Sequence, residues 1–232
     1  MAEKIRYTRK DLKGPDEFMS ALGRAVAWAR DNRPRLLLAA TAVALVLAGV
    51  VGTAAYLRWE DEKATADLWP HLNRAREFLQ APTSADAEKL ARLQQFLAAY
   101  VNTHPKTKAA LYAYYYLGSI AYLRGNYGMS AQAFRMALDK AKDQPDMAYL
   151  VRIGLGQAFE ANGEMANAAA AYKEAADSAS GALRAEARMG QARALAALGR
   201  RDDAAAIYRA VIAENPDSPQ KEIAELKLSR MG

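Results

Sequence analysis

The sequence predicts an all-α protein: a single transmembrane helix near the N-terminus, followed by a solenoid of stacked helix pairs. Three observations lead there. Residues 36–57 read LLLAATAVALVLAGVVGTAAYL, 22 positions without a charge. Beyond them apolar residues recur at helical spacing, and no useful length alternates with period two, as a half-buried strand would. Gly125, Gly163 and Gly199 stand 38 and 36 residues apart, and each closes one helical pattern and opens another.

The first segment is a head, residues 1–35. It carries nine Lys/Arg and five Asp/Glu, a net charge of +4. Residues 1–13 are polar and basic and suit anionic lipid, at about 1 kcal/mol per basic residue near the surface. Gly14-Pro15 interrupts the chain, and Phe18, Leu22, Ala25, Val26 and Ala29 then recur at helical spacing. This predicts a short amphipathic helix lying on the membrane, with Trp28 at the interface, before Pro34 redirects the chain. Docking of that helix on a partner explains the same pattern.

The second segment is the span, residues 36–57. As a helix it is roughly 33 Å long, enough to cross a ~30 Å hydrocarbon core. Two threonines, Thr41 and Thr53, lie within it, and their hydroxyls can bond back to their own helix. A cleaved secretory signal is the competing reading, and Thr53-Ala54-Ala55 resembles a small-residue cleavage site. Signal cores have about 7–15 apolar residues behind a short leader. Here the run is longer and the leader is 35 residues, which favours a retained anchor.

Basic residues crowd the side that stays in the cytoplasm. The head is therefore expected in the cytoplasm and the rest, residues 58–232, across the membrane. For a bacterial inner-membrane protein this places the body in the periplasm. The body holds 23 basic and 21 acidic residues, so the sequence pI near 9.4 partly reflects the head. Those charges are interleaved, which disfavours nucleic acid as a partner. There is no cysteine, which excludes disulfides, thiol nucleophiles and thiolate metal sites.

Residues 58–105 are read as a linker helix and a degenerate first repeat. Residues 62–80 continue as helix, with a bend expected at Trp69-Pro70. Ala81-Pro82-Thr83 is a loop, and Ser84 or Asp86 can cap the next helix. That helix runs to about Val101, with Leu93, Leu97 and Tyr100 on one stripe, and ends before His104-Pro105.

Residues 106–216 carry the repeats. Five positions after each turn glycine stands a small residue, Ser130, Ala168 or Ala204. Nine after stands an aromatic, Phe134, Tyr172 or Tyr208; seven before stands Gly118, Gly156 or Ala192. Antiparallel helices approach closely where small residues meet, and the aromatic fills the space toward the next unit. One unit cannot bury its own apolar face, so units must stack. The first set, Leu117-Gly118, Gly125, Tyr127, Phe134 and Ala137, resembles a tetratricopeptide repeat. The second supplies Leu155-Gly156, Phe159, Gly163, Ala168, Tyr172 and Ala175. The third supplies Leu195, Gly199, Ala204, Tyr208 and Pro216. There are departures: Tyr114, Arg152 and Arg188 stand where the family has an early tryptophan, Gln191-Ala192 replaces Leu-Gly, and the second unit lacks a closing proline. Residues 217–232 are read as a capping helix over 220–230, opened by Ser218-Pro219.

No catalytic set is visible. The only histidines, His71 beside Trp69 at a helix surface and His104 in a turn, lack a carboxylate or serine at useful spacing. No metal, cofactor, phosphate loop, small-molecule substrate or enzymatic activity is expected. The resemblance implies that first helices line a concave, partner-binding face. By register Tyr112, Tyr115, Ser119 and Tyr122 face inward, then Ile153, Gln157 and Glu160, then Met189 and Arg193. Tyr114 is assigned to the core, while Tyr112, Tyr115 and Tyr122 suit groove and gap-filling equally. The layout resembles the membrane-anchored ancillary subunits of the Sec translocon (the YfgM-like family). That resemblance implies binding to translocon subunits, periplasmic chaperones or nascent secreted chains. The alternative is an adaptor of another envelope complex, in outer-membrane assembly or Tol-Pal-linked division.

Overall fold

The computed structural model describes residues 14–80, 87–214 and 217–231. All its regular elements are helices, and no strand occurs among the described residues. The order begins α1 (Gly14–Asp31), α2 (Arg33–Gln80), α3 (Ala87–Thr103), α4 (Ala109–Leu123) and α5 (Tyr127–Lys140). It continues α6 (Pro145–Ala161), α7 (Met165–Asp177), α8 (Gly181–Ala197), α9 (Arg201–Glu214) and α10 (Pro219–Ser229). Expectations for residues 1–13, for the loop and caps at 81–86, for Phe18 and for Pro216 lie outside the residues or side chains described. The chain divides into two units, Met1–Trp59 and Glu60–Gly232, with the boundary inside α2.

Among its described residues the first unit has no buried core. Only Asn32 separates α1 from α2, and helical bonding passes through it: Asn32 N–H donates to Trp28 O and Leu36 N–H to Asn32 O, both at 3.0 Å. Pro34, expected to redirect the chain, sits in the first turn of α2, where a missing N–H is tolerated. Leu22, Val26 and Trp28 are exposed, as is every side chain of residues 36–57. Thr41 Oγ1 donates to Leu37 O (2.8 Å) and Thr53 Oγ1 to Gly49 O (2.7 Å), so neither hydroxyl depends on water. α2 is long and apolar enough to cross a membrane, and none of its most apolar window is buried.

The second unit opens on the rest of α2. Ala64, Leu68, Leu72 and Ala75 recur every three or four residues and are buried. They share a core with Leu90, Leu93, Leu97 and Tyr100 of α3 and with Ala109, Ala113 and Ile120 of α4. Lys108 N–H donates to Asp61 Oδ1 at 2.6 Å, which ties the start of α4 to α2. Pro70 does not interrupt α2: the helix is continuous across the expected bend. His71 is not a surface residue but half-buried, stacked on Phe96 with ring centroids 3.6 Å apart. Burial, then the Arg74 charge, lowers its pKa.

From α4 onward helices pair through glycine. Gly125, Gly163 and Gly199 have φ of 74°, 81° and 78°, a region costly for any residue with a Cβ. Each closes a first helix with the same two bonds. At the first turn Gly125 N–H donates to Tyr122 O and Asn126 N–H to Ala121 O, satisfying carbonyls the helix end leaves open. Ser130 Oγ then donates to Gly118 O at 2.8 Å across the buried pair. A ring wedges between successive pairs. A Cβ on Gly118 would stand 3.0 Å from the Phe134 ring, and one on Gly154 2.6 Å from it. Tyr172 lies in the same way against Gly156 and Gly190, at 2.6 and 2.8 Å. In the third pair Tyr208 is 2% exposed and shares its core with Ala192 and Ala224.

Candidate functional site

First helices α4, α6, α8 and α10 approach one another directly, each touching the next, whereas second helices α5, α7 and α9 do not. Spacing that is tighter on one side makes the first-helix side the concave one. Inner positions follow a 3-4-3 spacing, which keeps one face of a helix in line. On α4 they are Tyr112, Tyr115, Ser119 and Tyr122; on α6, Leu150, Ile153, Gln157 and Glu160. On α8 they are Glu186, Met189, Arg193 and Ala196; on α10, Gln220, Ile223 and Lys227, with Arg230 next in the same register at its C-cap.

Two hollows lie along this face. One, of about 320 Å³, runs from Tyr115, Ser119 and Tyr122 to Leu150, Ile153 and Gln157. The other, of about 380 Å³, includes Ile153, Gln157, Met189, Arg193, Gln220 and Ile223. Ile153 and Gln157 belong to both, so the hollows join into one track. Leu150 is 43% exposed and Ile223 49%, apolar surface that burial under a partner would stabilise by roughly 1 kcal/mol each.

Seven of the nine residues expected on this face line the hollows: Tyr115, Ser119, Tyr122, Ile153, Gln157, Met189 and Arg193. The other two serve the protein itself. Tyr112 OH bonds Gln144 Oε1 (2.9 Å), just ahead of α6. Glu160 takes Arg193 Nε (2.5 Å) and Nη2 (2.7 Å) and accepts from Tyr172 OH (2.9 Å). Burial pushes the Glu160 pKa up, but Arg193 and the Tyr172 hydroxyl outweigh it and hold the group below its ordinary value. Burial and the Glu160 charge raise the Tyr172 pKa. Arg193 also lies over the Tyr172 ring, 5.8 Å from its centre. The wedge ring and the groove therefore share one hydrogen-bonded cluster. Tyr115, whose pKa is raised first by burial, packs against Phe134 at 5.9 Å, so it serves groove and core together. Tyr114 is half-buried between the two core clusters, with Lys140 Nζ 6.0 Å from its ring centre.

Sequence reasoning missed Leu150, Glu186, Gln220 and Ile223. The signal was present: the 3-4-3 spacing continues into α10, which had been assigned only a capping role. It also missed a larger cleft of about 530 Å³ between α3 and α5, floored by Ala98, Leu117 and Ala133, with Met129 and Met136 each 41% exposed at its side. Nothing local marks that cleft, because its walls come from two different pairs. Among the described residues, no three acidic or histidine side chains gather into a possible metal site.

The fold is similar to that of a Podosopora anserina kinesin light chain protein with nearly identical TPR-like repeats, at 16% identity and a TM-score of 0.58. That likeness covers 72% of this chain and 86% of the other. YrrB, a TPR protein with an unusual peptide-binding site, is 21% identical, with a TM-score of 0.48 over 69% of this chain and 75% of its own. No curated relative matches. The tetratricopeptide repeat family model matches residues 72–145 and 153–219, more than half of the sequence, and the chain belongs to that family.

Proposed function

We propose that this protein is a membrane-anchored scaffold that holds other polypeptides on its concave face outside the cytoplasm. Tetratricopeptide repeats are protein–protein interaction modules, generally without enzymatic activity, and this chain is a repeat scaffold of that kind. The observation that carries the anchored reading is the 22-residue charge-free stretch, exposed throughout and joined by one continuous helix to the array. Left in water, each such valine or leucine forgoes about 1.5–3 kcal/mol of burial, which lipid supplies. Aromatic rings mark its ends: Trp28 before it, Tyr56 at its last turn and Trp59 just after it, the last two with centroids 6.1 Å apart. Basic Arg33 and Arg35 precede it, which supports a cytoplasmic N-terminus and a periplasmic array in a bacterial inner membrane.

The finer role is that of an ancillary factor of the Sec translocon, assisting secreted chains and periplasmic chaperones. Its support is the layout: a short basic head, one span, then divergent repeats. The anchor would keep the binding face near the channel exit, and the hollows would cover apolar side chains of an emerging chain. A C-terminal reporter active only outside the cytosol should be active, and activity only from a cytosolic reporter would contradict the anchored topology. Crosslinking in membranes should capture channel subunits and nascent secreted chains. Capture of outer-membrane assembly or division machinery alone would assign the scaffold to another envelope complex.

A further inference from the structure

The four inner positions of each first helix form four lanes across the array. One lane is apolar throughout: Tyr115, Ile153, Met189, Ile223. Its neighbour changes character along the array, from the hydroxyl of Ser119 to the amide of Gln157, then Arg193 and Lys227. The lane beyond it ends on Arg230. No charge stands at the inner positions of α4. Glu160 on α6 is occupied by Arg193 and Tyr172, so that pair is neutral together. On α10, Lys227 and Arg230 are exposed and make no ion pair among the described residues. Glu186, the inner acid of α8, is exposed and lines the second hollow beside Gln220 and Ile223; its Oε2 accepts from the neutral Tyr149 OH at 3.2 Å, so its carboxylate stands against one of the two cations. Glu222 and Glu225 of α10 fall outside the inner register. The face therefore carries no charge at its α4 end and two cations against one carboxylate, a net positive charge, at its α10 end.

We infer that the concave face selects an internal polypeptide segment with apolar side chains along its length and acidic side chains at the end lying over α10. Charge complementarity with Lys227 and Arg230 fixes which end lies where, and the apolar lane supplies contact along the whole track. The inference rests on the reading of this face as a polypeptide site. It adds the chemistry and the orientation of the occupant.

The test uses the full chain in lipid nanodiscs and three peptides blocked at both ends. Each has the same Leu/Ala-rich body and a terminal pair of Glu, Gln or Lys. Affinities are read by fluorescence anisotropy, and a photo-crosslinker beside the terminal pair reports position. The Glu peptide should bind about fivefold more tightly than the Gln peptide at low salt, and the Lys peptide more weakly than either. Near 0.5 M salt the difference should collapse. The crosslinker of the Glu peptide should label α10. The double change Lys227→Glu with Arg230→Glu, at exposed positions, should leave the melting curve unchanged and reverse the order of the Glu and Lys peptides. Equal affinity for all three peptides would overturn the charge selection and leave the binding face standing. Failure of every peptide to bind would overturn both. So would a concentration-dependent dimer that the charge reversal dissolves, because the face would then belong to a second copy of the chain.

Discussion

Where α2 and α3 meet α4, the large side chains of the core are mainly leucines: Leu68, Leu72, Leu90, Leu93, Leu97 and Leu117 share it with Tyr100 and Ile120. From α5 onward it is richest in alanine, with buried glycines against the rings of Phe134 and Tyr172 and with Tyr208 in the corresponding place of the third pair. Backbones stay further apart in the first region: neither α3 nor α4 comes as close to α2 as α4 comes to α5. The two solutions differ in how they fail. Branched chains from several helices can shift to absorb a change in shape. A ring held between two glycines has backbone on both sides and nowhere to move. The regular period of the sequence therefore belongs to the glycine-and-ring region, where the geometry admits few alternatives.

The largest effect that would break this contrast lies at the rings. Phe134→Ala should cost about 3–5 kcal/mol in chemical denaturation, since two glycine backbones cannot close on the void. In the leucine core Leu97→Met should cost less than about 1.5 kcal/mol, being nearly volume-conserving. Equal costs would erase the distinction.

A middle-sized effect sharpens it. Glycine inside a helix is worse than alanine by roughly 0.5–1 kcal/mol, so replacing it normally helps. Gly128 in α5 has open space where a Cβ would go, and Gly128→Ala should stabilise by about that amount. At Gly154 the added Cβ would stand 2.6 Å from Phe134, and Gly154→Ala should destabilise by about 1–3 kcal/mol. Thermal melts of the two variants should move in opposite directions.

The smallest effect is electrostatic and sits where the ring region meets the groove. Glu160 has a folded pKa below its unfolded value of 4.5 because Arg193 and Tyr172 favour the carboxylate over the opposing effect of burial. Its contribution is therefore present above about 4.5 and is lost as the pH falls through the lower folded value. With Arg193 half exposed, that contribution is roughly 1 kcal/mol or less. Arg193→Gln should flatten the acid limb of the stability profile by that much and leave the neutral and alkaline parts unchanged in slope.

The same contrast governs what the sequence disclosed. The turn glycines, the rings and the glycines of the rings' own pairs stand at fixed offsets, so the helix pairs were legible. Gly154 and Gly190 were not, because each receives a ring from the preceding pair and has no local mark. Register places Tyr115, Gln157 and Arg193 on the inner face, and each lines a hollow there. It could not show that Glu160 is neutralised by Arg193, nor that Tyr112 spends its hydroxyl on Gln144, since both partners lie more than a helix away. His71 looked solvated because its stacking partner, Phe96, comes from the next helix. At Pro70, where a bend is expected, α2 remains helical, and Leu68 and Leu72 on either side are buried in the core.

The central claim is that polypeptides bind on the first-helix side of the array. A photo-reactive residue placed at Gln157, shared by both hollows, and another at Gln132, in the cleft between α3 and α5, give the most direct comparison. With the full chain in nanodiscs and the Leu/Ala-rich Glu peptide, crosslinking should occur from position 157 and not from position 132. Crosslinking from 132 alone would contradict the account and move the binding surface to the opposite side of the array.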